Sequence, residues 1–324
     1  MKPIKPHLTY AQQVDLLERR GLVVADRDAA VDALRRVGYY RFSAYTYVFR
    51  PIQASGRPRR SDCLVDGATF ADALSLHDFD DRLRVVLLAG LQQLEVALRT
   101  QVGHELGRRN PLAHLDPTHL DPRRCATAAD RPRTPESNAY DDWRERFDDL
   151  VHEARNEEFV KHHLVHYDGQ MPVWVAVEVM TFGTLIRLYS LISTPEARTV
   201  ARCFFAYNRD LLFGWLKPLN TLRNHCAHNG RIWNRATVYP PKRGSSRVLP
   251  PDLAHLATAD NHRLYYLAAL TAHLLRSIDP RTRWPQRFVE VMKRFPATPA
   301  ATVERDMGFP SDWRTLDLWQ TPKR

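Results

Sequence analysis

A long helical repeat of apolar residues in the first third of the chain constrains the fold more than any other feature. Its members fall three or four positions apart: Leu76, Phe79, Leu83, Leu87, Leu91, Leu94, Leu98 and Val102. Apolar residues at this spacing share one face of an α-helix. Ser75 and Asp78 have the spacing of a capping box, so we predict that the helix begins at this serine. The repeat therefore predicts a long amphipathic helix in an all-α chain.

Shorter helices are predicted on both sides of this repeat. Thr9 is a suitable N-cap for a first helix that ends at Gly21, and Asp26 or Asp28 for a second that ends at Gly38. Pro218 suits the first turn of a later helix. Further helical patterns cover Tyr140 to about His166, Met171 to Leu191 with an interruption at Gly183, Asn261 to Ile278, and Gln286 to Phe295.

Breaks in these patterns suggest three regions. We predict an N-terminal helical module at 1–66, a helical bundle at 67–280, and a C-terminal helix with a docked tail at 281–324. A proline- and arginine-rich stretch at about 107–139 is predicted to be an irregular insertion.

Composition limits the partners and the compartment. The 324 residues are 44% hydrophobic and 26% charged, with a net charge of +10, as expected for a globular protein with a polyanionic partner such as RNA. Coding bias toward arginine would give the same balance. The four cysteines lack paired spacing, no apolar run reaches the length of a membrane span, and the N-terminus lacks a signal-peptide core. We expect a cytoplasmic protein with no membrane association and no cofactor.

The stretch from Leu219 to Asn234 contains the candidate catalytic residues. It contains Arg223, Asn224 and His228. A histidine can move a proton near neutral pH, and an arginine can stabilise charge on a phosphoryl group. Asn224 and His228 share a helix face, so the amide is predicted to orient the imidazole. These are the groups that RNA cleavage without a metal requires.

Helix geometry separates the arginine from the histidine. Arg223 and His228 lie roughly 140° apart around an ideal helix. Either the helix starts within the motif, or a second copy of the chain completes the site. Taken as spacing alone, the stretch is also compatible with an interface helix whose polar residues are simply hydrogen-bonded.

The run RNHCAHNGRIWNR resembles the signature of the Abi-like abortive-infection proteins (the AbiD/AbiF group) of the HEPN superfamily. The similarity extends to KPHLTYAQQVDLLERRGL, GYYRFSAY, LHDFDDRLR, LEVALRT, PVWVAVEVMTFG and MGFPSDW. The resemblance implies a HEPN-type bundle that forms a homodimer and acts on RNA in phage defence, with a small non-coding RNA as partner in some members. It also favours Glu95 and Arg99 as supports for the catalytic pair, over a solvated helix pair. His228 is followed by Asn229 and Gly230, which departs from the His-x-Tyr ending of HEPN toxins that nucleotidyltransferases modify.

Two functional hypotheses follow from the residues and the resemblance. The first is a metal-independent endoribonuclease of the toxin type. The second is a non-catalytic RNA-binding protein held by a small non-coding RNA. Under either hypothesis, four basic residues near the motif are candidates for RNA binding: Arg231, Lys242, Arg243 and Arg247.

Two other patterns have a structural explanation beside the functional one. The aromatic and basic residues from Tyr39 to Arg50 suit base stacking, but such residues more often form a packed helix or strand face. His162, His163 and His166 suggest a metal, but no acidic residue completes a known ligand pattern and a helix C-terminus explains them better. We therefore predict no metal site.

Overall fold

The computed structural model describes residues 4, 6–53, 59–129, 137–245, 247–298 and 300–321. The chain is all-α, as predicted, apart from a short antiparallel pair, β1 (Ile52–Gln53) and β2 (Arg59–Arg60). The α-helices are α1 (Tyr10–Arg19), α2 (Arg27–Val37), α3 (Tyr39–Thr46), α4 (Phe70–Gly107), α5 (Pro122–Cys125), α6 (Ala139–Glu153), α7 (Glu158–His166), α8 (Val173–Val179), α9 (Phe182–Leu191), α10 (Thr194–Cys203), α11 (Arg209–Ala227), α12 (Leu264–Ile278), α13 (Trp284–Met292) and α14 (Val303–Met307).

Helix α4 is the predicted long helix, and it is the centre of the fold. All eight apolar residues of its repeat are fully buried. Helices α3, α8, α10, α11, α12 and α13 pack against it. The period of the apolar residues thus gave the helix and its buried face correctly.

The predicted start of α4 is wrong. The helix begins at Phe70, and Ser75 lies inside it. Thr69 is the N-cap, because its hydroxyl oxygen accepts the Asp72 N–H at 3.0 Å. Phe70 stacks on Phe42 of α3 with ring centroids 4.3 Å apart, so the buried face starts six residues, nearly two turns, before the repeat.

A glycine allows α13 to approach α4 closely. The Trp284 Nε1–H donates to the Val86 carbonyl at 2.7 Å. A Cβ at Gly90 would lie 2.4 Å from that nitrogen, which no side chain tolerates. The absence of a side chain at this position therefore permits the contact between the two helices.

The first two predicted helices are confirmed with their caps. Thr9 forms a capping box with Gln12 at the start of α1, and the Asp26 carboxylate accepts the Ala29 N–H at 2.9 Å at the start of α2. The aromatic stretch forms α3, with Phe42 and Tyr45 buried.

Two of the predicted helices are each divided in two. The one from Tyr140 to His166 forms α6 and α7, so its prediction as a single helix is wrong.

The stretch from Met171 to Leu191 likewise forms two helices, α8 and α9. The chain is extended at Met180, and Thr181 caps α9 by accepting the Thr184 N–H at 3.2 Å. Gly183 lies in the first turn of α9, where a Cβ would lie 3.2 Å from Asn220 Nδ2 of α11. The glycine therefore serves close packing between two helices and does not mark the break.

Pro218 lies in the middle of α11, so its prediction as a first-turn residue is wrong. A proline has no N–H to donate to the carbonyl four residues earlier. That carbonyl, on Gly214, instead accepts the Lys242 N–H at 3.2 Å. The Trp215 Nε1–H in turn donates to the Lys242 carbonyl at 3.2 Å. The loop after the motif thus provides the N–H donor for the Gly214 carbonyl, which the proline leaves without a partner in the helix.

Helices from all three predicted regions contribute to one continuous apolar core. The boundaries at 66 and 280 stay predictions. Among the described residues, none of the helices combines the length and the apolar character that crossing a bilayer requires.

The insertion at 107–139 buries a histidine. Its described residues form two short 3-10 helices, Ala113–Leu115 and Pro117–His119, and α5. His114 packs edge-on against Phe147 of α6, with ring centroids 5.4 Å apart, and neither ring nitrogen has a hydrogen-bond partner among the described residues. Burial, reinforced by Arg144, lowers the pKa of His114 to about 3.

This histidine should make the fold sensitive to acid. An unfolded histidine has a pKa of about 6.5, so between pH 6.5 and 3 the unfolded chain binds one more proton than the folded chain. The free energy of unfolding should fall by about 1.4 kcal/mol more per unit of pH in the wild type than in His114→Phe between pH 6 and 4. Urea denaturation of both proteins at several pH values measures this difference. Parallel pH dependences would contradict it.

Candidate active site

The motif lies at the C-terminal end of α11. Arg223 and Asn224 are in its last turns, and His228 is the C-cap. The Gly230 N–H donates to the His225 carbonyl at 2.7 Å and the Asn229 N–H to the Cys226 carbonyl at 3.3 Å. With Asn229 in the left-handed region at φ 53°, this is a Schellman ending. The helix therefore ends within the motif, and the alternative in which it starts there is wrong.

Arg223 is held by a buried carboxylate on α4. Its Nε lies 3.2 Å from Glu95 Oε2, and Arg99 Nη2 lies 2.8 Å from the other oxygen, Oε1. Glu95 is only 4% exposed. The structure thus brings together Arg223 and both predicted supporting residues, with one carboxylate shared by two guanidinium groups.

Arg99 is also tied to the turn between α8 and α9. Its Nη2 donates to the Met180 carbonyl at 2.8 Å, and its Nη1 lies 3.8 Å from the Glu178 carboxylate. The Arg223 side chain is 28% exposed. Its Nε–H is poorly aligned for a hydrogen bond to Glu95, so the attraction is mainly between charges. The Arg223 Nη1 donates to the Asn224 side-chain oxygen at 3.5 Å, and the guanidinium remains partly exposed.

His228 is exposed, and its link to Asn224 runs through the backbone. The His228 N–H donates to the Asn224 carbonyl at 2.9 Å. The Asn224 side-chain oxygen lies 3.5 Å from Arg223 Nη1. Within the part of the chain that the structure describes, no hydrogen bond joins the Asn224 amide to an imidazole, so its orienting role stays a prediction.

The other histidine of the motif has different surroundings. His225 faces a small apolar cavity that Pro218, Leu222 and Leu264 also line. Burial, followed by the nearby charges of Arg235 and His228, lowers the pKa of His225. His225 is therefore neutral at pH 7, whereas His228 is open to solvent.

Sequence reasoning missed Asp80, a fully buried carboxylate on α4. It accepts hydrogen bonds from the Tyr45 hydroxyl at 2.7 Å and from Arg84 Nη1 at 2.7 Å. It also accepts the N–H groups of Ile232 at 3.2 Å and Trp233 at 2.7 Å. The signal was present in the sequence, because Asp80 falls among apolar residues that face the core and Arg84 follows four positions later.

Arginines from α3 and α4 secure the turn that follows His228. Arg41 donates to the Asn229 carbonyl, and Arg84 to the Gly230 carbonyl at 3.4 Å. Arg231 points back into the protein, where its Nη1 donates to the Ala44 carbonyl at 3.0 Å and burial lowers its pKa. The turn is thereby fixed on both sides.

The four candidate RNA-binding residues are not gathered into one site. Arg231 is engaged with α3, and Lys242 packs over Gly214 of α11. Arg243 Nη2 donates to the Asn261 side-chain oxygen at 3.1 Å, and Arg247 lines a separate cleft beside α10 and α12. Their role in RNA binding stays a prediction.

A basic cleft of about 600 Å³ lies along α11 instead. We use "basic cleft" for the space lined by Phe213, Lys217 and Asn220 of α11 together with Arg124, Arg146 and Arg187. The fully buried Asp142 carboxylate pairs with Arg146 at 3.0 Å and with Arg187. These cations are far apart in sequence, which is why the sequence did not reveal them.

The spacing of α11 connects the basic cleft to the motif. Asn220, Asn224 and His228 are four residues apart, so they follow one another along the same helix face. Of these three residues, Asn220 also lines the basic cleft.

Potential metal ligands lie elsewhere. Among the described residues, His77, Asp78 and Asp81 place ligand atoms within 4.8 Å of one another. Arg84 is paired with Asp81, and its positive charge opposes a cation there. In the histidine cluster of α7, His163 Nδ1 lies 2.7 Å from the Phe159 carbonyl. Neither group includes Arg223 or His228.

Asp80 provides a test of how the motif is anchored. Asp80→Asn places an N–H₂ donor among donors, and we expect it to reduce the free energy of unfolding by about 3–5 kcal/mol. Asp78→Asn is the matched control, because this neighbour on α4 is half exposed; its effect should stay within about 0.5 kcal/mol. Guanidinium denaturation of the three proteins gives the values. Equal stability of the two variants would contradict the role of Asp80.

One comparison with known proteins identifies a family. A model of the Abi-like protein family matches residues 32–234, a range that contains all of α4 and α11 and the turn after His228. No curated protein and no solved structure matches the chain. Because the match covers more than half of the 324 residues, the chain belongs to the family of Abi-like proteins.

Proposed function

We propose that this protein is a metal-independent endoribonuclease of the HEPN type that acts in abortive infection. Membership of the Abi-like family suggests the defence role. One observation supports the activity above all others: a surface-accessible guanidinium held by the buried Glu95, and an exposed imidazole at the end of the same helix. The four free cysteines fit action on RNA in the cytoplasm.

The proposed reaction is an internal transesterification. An imidazole takes the proton of the ribose 2′-hydroxyl, whose oxygen attacks the adjacent phosphorus. The bond from phosphorus to the 5′-oxygen breaks, and a second, protonated imidazole gives that oxygen a proton. Arg223 stabilises the charge that develops on the phosphoryl oxygens. The products are a 2′,3′-cyclic phosphate and a 5′-hydroxyl.

Two protomers complete the site in this proposal. Helix α11 continues through Ala227, so Arg223 and His228 keep nearly the angular separation of a regular helix. The Arg223 side chain contacts α4, while His228 is open to solvent. A homodimer in which the two motifs face each other supplies two imidazoles and two guanidinium groups to one phosphodiester.

The basic cleft is the proposed approach path for the RNA backbone. The buried Asp142 fixes Arg146 and Arg187, and Asp121 pairs with Arg124 at 3.3 Å, so these arginines need little ordering when phosphates bind. Asn220 connects the cleft to Asn224 and His228 along α11.

Single substitutions in the motif test the chemistry. Arg223→Ala and His228→Ala should each lower the rate of RNA cleavage at least 100-fold, while the Kd for RNA changes less than about threefold. His166→Ala, in the exposed histidine cluster of α7, is the control and should cleave normally. Cleavage should persist in EDTA and leave a cyclic phosphate. Loss of cleavage in EDTA that a divalent ion restores would remove this mechanism.

The same experiment separates catalysis from the rival function, a non-catalytic RNA-binding protein held by a small non-coding RNA. If binding alone matters, both variants retain their effect on cell growth and bind RNA only modestly less tightly. Growth arrest that survives His228→Ala would favour this second function.

Glu95 should act as a positioning residue for Arg223. Glu95→Gln keeps the shape and removes the charge that both guanidiniums share, so we expect kcat to fall about 10- to 100-fold with little change in KM. Glu178→Gln is the matched control, since this exposed carboxylate faces Arg99 alone. If Glu95→Gln does not fold, Glu95→Asp takes its place as the test variant. An equal loss of kcat in Glu178→Gln would assign the effect to Arg99 and not to the position of Arg223.

A further inference from the structure

A second cleft, of about 630 Å³, lies away from the motif. We call it the aromatic cleft and define it by six of its lining residues: Arg202, Phe205, Tyr207, Arg247, Asp252 and His273. It is formed by the end of α10, the turn that follows, the loop around Pro250 and the last turns of α12. It shares no lining residue with the basic cleft.

Two large aromatic side chains are exposed at this cleft. Phe205 is 62% exposed and Tyr207 is 65% exposed, whereas Phe204 and Ala206 beside them are buried. The backbone fixes this alternation. The Ala206 N–H donates to the Ala201 carbonyl at 3.0 Å and the Phe205 N–H to the Arg202 carbonyl at 3.0 Å. These two bonds form a Schellman ending of α10.

The position of Phe205 in that ending is unusual. Its φ is 49°, in the left-handed region that glycine normally occupies at this position. A phenylalanine here is strained and also leaves its ring in water. Among the described residues its ring has one aromatic neighbour, His273, with ring centroids 6.5 Å apart. The exposed part of the ring is suited to stacking on a planar ligand.

Charges beside the rings indicate what kind of ligand this is. Arg202 and Arg247 are exposed, and within the described ranges neither forms an ion pair or a hydrogen bond through its side chain. Arg276 is instead anchored, because its Nη1 donates to the Asp317 carbonyl at 3.0 Å. Two uncommitted guanidiniums next to two exposed rings suit a ligand that is both planar and anionic.

An acceptor completes the cleft. The Asp252 carboxylate is fixed by His273, whose Nδ1 lies 2.8 Å from Asp252 Oδ2. The other carboxylate oxygen can accept a hydrogen bond from a hydroxyl or an amino group.

We propose that the aromatic cleft binds a nucleoside phosphate. The base stacks on Phe205 and Tyr207, Arg202 and Arg247 bind the phosphate, and Asp252 accepts from the ribose or from a base amino group. A free nucleotide and a nucleotide within an RNA chain present the same chemistry. The proposal does not depend on cleavage at Arg223 and His228.

Titration of the full-length protein tests the site. In a His228→Ala background, which avoids cleavage, the probes are the four nucleoside 5′-monophosphates, adenosine, inorganic phosphate and a single-stranded oligoribonucleotide. We expect at least one monophosphate or the oligoribonucleotide to bind, and adenosine to bind about tenfold more weakly than its monophosphate. Binding of the monophosphate indicates a free nucleotide as ligand, and binding of the oligoribonucleotide alone indicates RNA.

The choice of variants separates binding from folding. Phe205→Gly removes the ring and relieves the left-handed strain, so it should raise Tm while lowering affinity at least tenfold. Arg247→Ala should lower affinity by a similar factor. Arg198→Ala is the matched control, because this exposed arginine lies one turn before Arg202 on α10 and does not line the cleft. The proposal is overturned if no probe binds, or if Phe205→Gly and Arg247→Ala bind as tightly as Arg198→Ala.

Discussion

Two buried carboxylates on a single helix hold the candidate active site in place. Glu95 pairs with Arg223 before the end of α11, and Asp80 accepts the backbone N–H groups of Ile232 and Trp233 after it. The two residues are fifteen positions apart on α4, which is about 22 Å along the axis. The motif between these anchors is therefore secured at both ends by the helix at the centre of the fold. Buried charges of this kind require partners, and here the partners are the motif and the segment that follows it.

This arrangement explains which parts of the protein could be predicted from sequence. Helix α4 was predictable because its apolar period is strong, and so were the caps at Thr9 and Asp26, since capping is local chemistry. Its starting residue was not, because the stacking of Phe70 on Phe42 depends on a contact between helices. The location of Pro218 failed for a similar reason. A proline inside a helix is tolerated where a distant group, here the Lys242 N–H, takes the open carbonyl.

The candidate site also has parts that could be predicted from the sequence and parts that could not. The motif and the association of Glu95, Arg99 and Arg223 follow from the resemblance to the Abi-like family, and the structure places these three side chains in contact. Asp80 carried only a weak signal, a charged residue in an apolar register. The basic cleft carried none, because Arg124, Arg146 and Arg187 meet only in the folded chain. Net charge was also a poor guide to which basic residues could bind RNA. Arg41, Arg84 and Arg231 donate hydrogen bonds to carbonyl groups of the protein itself.

The contact between Gly214 and Lys242 has a consequence for how the motif behaves as a mechanical unit. It closes the chain into a ring that begins in the core, runs through the motif and returns to the same helix. A ligand that displaces the proline-rich loop would therefore also disturb α11 at Gly214 and Trp215, in the same helix that carries the motif.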